Sequence, residues 1–196
     1  MIAIVASLCA ASAGTGASSA DSPGNAPAVT SLADLARTVL ARADAHALSP
    51  TDRRDLLAAL YGLAGADTPL QTPETNAALG DAILRAATEA QRGDQAFLTA
   101  LMMLVVSPYG RTVEGSEWIN ELLWEALAVQ PQASIDSLAT LPTDIRKTVM
   151  AEVYTAPVHD GFDFPAILGS LERIKVPPGF GTEISSILDT LRPLAR

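Results

Sequence analysis

The chain has 196 residues, 48 % of them hydrophobic and 18 % charged. That composition excludes a wholly disordered chain, which lacks the apolar surface needed to offset ordering entropy. The formal charge of −9, from 13 basic and 22 acidic residues, repels phosphate backbones and anionic headgroups, so it argues against nucleic acid and membrane surfaces and favours a basic protein or a cationic ligand as partner.

The N-terminal stretch Met1 to Cys9 is a continuous apolar run, and Ala10 to Ala20 consists of Ala, Ser, Gly and Thr. This is the pattern of a signal peptide's apolar and cleavage regions. Ala11-Ser12-Ala13 and Ser18-Ser19-Ala20 are the candidate cleavage sites, which place the mature start near Gly14 or Asp21. The run is far short of the roughly 20 apolar residues that span a bilayer. No Lys or Arg precedes it, which fits an internal start with the leader beginning upstream. Cys9 lacks the small preceding residue of a lipidation site, because Leu8 stands there, so it reads as an ordinary apolar residue of the leader. With Cys9 removed, the mature chain has no disulfide, thiolate metal site or cysteine nucleophile. Three segments follow: a leader over 1–20, a polar tether over 21–30 and one helical domain over 31–196. The expected location is periplasmic or secreted.

The first helix is predicted to be capped by Ser31, with Leu32, Leu35, Ala36, Val39, Leu40 and Ala43 on one apolar face. Ser49-Pro50 opens the second, since serine caps and proline suits the first helical position; Gly62 and Gly65 bring it to an end. Thr72-Pro73-Glu74 repeats that opening for a helix running to about Gln91. Asp94 caps the next. Ala96 to Val106 is apolar almost all round apart from Thr99, and a helix without a polar face belongs in the centre of a core. Ser107 to Gly115, with Pro108 and Gly110, reads as a loop. Ser116 is expected to cap a helix through Val129. Pro131 and Pro142 start helices over 131–140 and 142–154, Phe164 to Ile174 forms another, and Thr182 caps the last, after the break at Pro177-Pro178-Gly179.

No segment alternates with period two. The fold class is therefore all-α: antiparallel helical hairpins packed as a short irregular α-solenoid of HEAT-like type, or as a layered helical domain. One internal echo fits either a repeat, although no intermediate copy is recognisable near position 96, or two instances of a common helix opening. Pro50-Thr51-Asp52, followed by Arg54 and Ala59, recurs as Pro142-Thr143-Asp144, followed by Arg146 and Ala151; the separation is twice the period of about 46 expected of such repeats.

The most enzyme-like string is His159-Asp160-Gly161-Phe162-Asp163. His159, Asp160 and Asp163 in one loop could hold a divalent metal for a hydrolase, but a cap on the following helix explains the aspartates without chemistry. Phe97, Met102 and Met103 could line a cavity for a small apolar ligand, or simply fill the core. Gly179-Phe180-Gly181 lacks the strand and third glycine of a phosphate loop and reads as a hinge. No cofactor or metal is expected.

The segment from Glu114 to Glu125 is the remaining candidate. Glu117, Glu121 and Glu125 recur every four residues with no base between them, and like charges at that spacing repel. At about 100° per residue, Trp118 and Trp124 fall on the two sides of this stripe. Large aromatics beside an open acidic stripe suit a binding hot spot or capture of a cationic side chain; the alternative is that both indoles lie down onto neighbouring helices and the glutamates are merely solvated. Tyr109, Arg111, Tyr154 and Phe162 could add to such a surface or equally fill gaps in the core. The expected function is an exported, non-catalytic protein-binding module of inhibitor, immunity or adaptor type, with Glu117, Trp118, Glu121, Trp124 and Glu125 as its binding residues.

Overall fold

The computed structural model describes residues 29–42, 48–65, 73–155 and 161–195. The expected leader, most of the tether, and His159 and Asp160 lie outside them. The described residues form helices and turns, with no strand among them. In chain order the helices are α1 (Val29–Arg42), α2 (Pro50–Ala64), α3 (Pro73–Gln91), α4 (Gln95–Val105), α5 (Val113–Val129), α6 (Pro131–Thr140), α7 (Thr143–Val149), α8 (Phe164–Leu171) and α9 (Gly181–Leu191). A π turn (Met150–Tyr154) continues α7 without a break. No helix among the described residues is long and apolar enough to cross a membrane.

The openings of α2, α4 and α8 follow directly from sequence. The Ser49 hydroxyl accepts the Asp52 N–H at 3.1 Å, the Asp94 carboxylate accepts the Ala96 N–H at 3.0 Å, and the Asp163 carboxylate accepts the Ala166 N–H at 3.0 Å. Each satisfies a donor that a helix start leaves without an intrahelical partner. Two expected caps fall inside their helices, as Ser116 does on α5. Ser31 lies inside α1, which begins at Val29. Thr182 lies inside α9, whose start at Phe180 has no side-chain cap.

Helices α1, α3 and α5 touch in succession, and so do α2, α4 and α6; α1 also packs on α2, α3 on α4, and α5 on α6. Buried side chains from Ala36 on α1 to Leu191 on α9 join in one core. At its centre is α4, which touches α2, α3, α5, α6 and α7. Phe97, Leu98, Leu101, Met102 and Leu104 on this helix are fully buried. Phe97 and Met102 thus belong to the packed core, with Met103 partly buried against it.

A bidentate ion pair fixes the start of α4. Arg53 on α2 donates through Nε and Nη2 to the two Asp94 oxygens, both at 2.7 Å, while its guanidinium lies 5.6 Å from the Phe97 ring centre. Burial alone would raise the Asp94 carboxyl. The Arg53 hydrogen bonds, the backbone N–H groups of Ala96 and Phe97 and the guanidinium charge outweigh burial and hold it below the usual carboxylate range.

Arg146 on α7 makes a similar arrangement at the start of α9. It lies 5.5 Å over the Phe180 ring and 3.7 Å from a Glu183 oxygen. The sequence echo aligned Arg146 with Arg54, but Arg54 pairs locally with its neighbour Asp55. Arg53, one position earlier, is the residue that reaches another helix, at the start of α4.

Candidate functional site

The loop before α5 is built to a tighter plan than its composition suggests. The Ser107 hydroxyl donates to the Leu104 carbonyl at 2.6 Å and accepts the Gly110 N–H at 3.1 Å. Five residues on, the Thr112 hydroxyl repeats the device, donating to the Tyr109 carbonyl at 2.8 Å and accepting the Gly115 N–H at 3.1 Å. A Cβ on Gly110 would lie 2.1 Å from the Leu104 oxygen, and one on Gly115 would lie 2.4 Å from the Tyr109 oxygen. Both glycines are therefore required for close backbone approach. Thr112, not Ser116, caps α5. Gly115 reads as a loop residue in sequence, yet it sits in the first turn of the helix because nothing larger fits there.

On α5 the five expected binding residues separate. Glu117 and Glu121 are exposed. Glu125 is partly buried and accepts a hydrogen bond from the Gln91 side chain of α3 at 2.9 Å. Trp118 is partly buried and leans toward α3 as well, its ring lying 3.5 Å from where a Gly80 Cβ would stand. These two residues occupy one edge of the stripe.

Trp124, on the other edge, follows the packed alternative and not the binding one. It is only 3 % exposed. Its indole N–H donates to the Val153 carbonyl at 3.2 Å, and its ring meets Tyr154 edge-on at 5.7 Å and Phe162 at 6.2 Å. One turn earlier, the Asn120 amide donates to the Glu152 carbonyl at 2.9 Å. The physical reason is the π turn. The Thr155 N–H bonds back five residues to Met150, and the carbonyls at the end of such a segment lack intrahelical donors. Asn120 and Trp124, spaced i and i+4, supply them from α5. The open part of the stripe is thus Glu117 and Glu121, between α3 on one side and the π turn on the other.

Of the His159, Asp160 and Asp163 set, only Asp163 is described, and it serves as the cap of α8. Phe162 packs between Trp124 and Phe164, and Tyr154 is fully buried. Burial pushes the Tyr154 phenol well above its ordinary value, so it stays neutral. No group of three or more metal-ligating side chains occurs among the described residues.

A cleft of ≈ 390 Å³ opens where the loop, α5 and the π turn meet, lined by Gly110, Arg111, Thr112, Ser116, Glu117 and Glu152. Among the described residues, the Arg111 guanidinium and the Glu117 and Glu152 carboxylates make no ion pair or hydrogen bond with one another or with anything else. Sequence reasoning placed Arg111 and Glu117 near a possible surface but missed Glu152, which only the π turn brings to α5. No protein-family model, curated protein or solved structure matches this chain.

Proposed function

We propose that this chain is an exported, non-catalytic helical module that binds another protein through the acidic face of α5, at Glu117 and Glu121 with the exposed part of Trp118 at its edge. The observation that carries the reading is that these two carboxylates stand exposed on a helix flanked by packed elements. Repulsion between them costs stability, and a basic partner would turn that cost into attraction. The net charge of −9 extends the same attraction over the whole approach.

The architecture proposed for the module is a short irregular α-solenoid. What supports it is the succession of contacts α1–α3–α5 and α2–α4–α6, crossed by the hairpin contacts α1–α2, α3–α4 and α5–α6. Stacked hairpins of this type present one row of helices as an extended binding surface. The proposed location is periplasmic or secreted, on the apolar run before Cys9 and its A-S-A site.

The test is affinity capture from an envelope fraction with the parent chain and with the double variant Glu117→Lys, Glu121→Lys. A discrete partner retained by the parent, lost by the variant and lost from the parent at high salt is the expected result, with thermal melts unchanged to within about 0.5 kcal/mol. The same proteins captured by both chains would refute the assignment of the face.

A further inference from the structure

The cleft beside this face has a charge set that points to a second kind of ligand. Among the described residues it holds one cation, Arg111, and two anions, Glu117 and Glu152, and none of the three is paired with another described side chain. Its walls are pre-formed. The Ser107 and Thr112 hydroxyls pin the loop that carries Arg111, and Asn120 ties the Glu152 backbone to α5 three residues beyond Glu117. The cleft, of ≈ 390 Å³, is open to solvent, and its three charged side chains are exposed.

From this charge set we infer that the cleft binds a free basic amino acid of the arginine or lysine type. Such a molecule carries two cations and one carboxylate at neutral pH, the inverse of what the cleft presents. Its carboxylate meets the planar guanidinium of Arg111, which suits bidentate recognition. Its α-ammonium and side-chain cation meet Glu117 and Glu152. The Thr112 hydroxyl is already engaged with the backbone, which leaves Ser116 as the neutral hydroxyl at the rim. The inference is independent of the protein-binding reading, although Glu117 is shared; Glu121 does not line the cleft and separates the two.

The experiment is calorimetric titration of the full chain with L-arginine and with agmatine, which has both cations but no carboxylate. The comparison has a decisive sign. Attraction to an acidic surface alone favours agmatine, the more highly charged ligand. The proposal requires L-arginine to bind about tenfold tighter or more, as expected for a lost charge-assisted pair. Arg111→Gln should abolish that preference. Glu117→Gln and Glu152→Gln should each weaken L-arginine binding, while Glu121→Gln leaves it unchanged. All four side chains are exposed, so melts of the variants should match the parent. Agmatine binding as tightly as L-arginine, or a preference that survives Arg111→Gln, would overturn the inference.

Discussion

Replacing Trp124 gives the sharpest check on how α5 is used. Trp124→Phe keeps an aromatic ring against Tyr154 and Phe162 but removes the donor to the Val153 carbonyl. A buried acceptor left unpaired costs about 1–3 kcal/mol, and the smaller ring leaves unfilled volume beside it. Trp124→Ala removes the whole indole from a site 3 % exposed, for which about 3–5 kcal/mol is expected. Trp118→Ala serves as the comparison. Its ring is only partly buried against α3, so it should cost clearly less. Urea titration followed by circular dichroism measures all three. The chain has two tryptophans, so Trp118→Phe leaves Trp124 as the sole indole emitter, and its fluorescence should be blue-shifted and shift red only on unfolding. A loss below about 1 kcal/mol for Trp124→Ala, with a solvent-exposed emission maximum in Trp118→Phe, would refute the placement of this side chain as the donor that closes the π turn.

Three further outcomes follow from the same contacts. The Tyr154 hydroxyl is buried with no hydrogen-bond partner among the described residues, so Tyr154→Phe should leave thermal stability equal or raise it, by up to about 1 kcal/mol. Gly110→Ala forces a Cβ onto the Leu104 carbonyl and should cost about 1–3 kcal/mol in a denaturant titration; Gly169→Ala on α8, where a Cβ meets nothing, should gain about 0.5–1 kcal/mol. Asp94→Asn keeps a capping oxygen while removing the charge that Arg53 grips, and should cost about 0.5–1 kcal/mol at neutral pH because Arg53 is substantially exposed. The Asp94 carboxyl is held below its ordinary value, so its contribution is present above the unfolded pKa of about 4 and is lost as pH falls through the folded one. The melts of parent and variant should therefore converge in acid.

Local chemistry made much of this fold legible. Ser49-Pro50, Asp94 and Asp163 announce helix starts because the side chain that caps is two or three residues from the N–H it satisfies. The central place of α4 is legible because a helix apolar all round has nowhere else to go. What was hidden depends on partners distant in sequence. Gly115 looks like a loop residue until Tyr109 is seen against it. Nothing in 142–154 signals that the helix widens into a π turn, since the donors that permit it, Asn120 and Trp124, lie on α5. The acidic stripe was read at the right helical angles, but angles alone cannot say which neighbours cover its edges. Gln91 and Gly80 close one edge and Val153 and Tyr154 the other, so Trp124 serves the core and Glu117 and Glu121 remain open.

The most direct measurement of the central claim is site-specific photocrosslinking in the native host. A benzophenone amino acid at position 118 replaces one aromatic with another at the margin of the acidic face, and the same group at Asp189, exposed on α9, serves as the control. The account predicts one discrete adduct from position 118, diminished when Glu121→Lys is added, and none from position 189. The same adducts from both positions, or an adduct at 118 that is indifferent to Glu121→Lys, would contradict it.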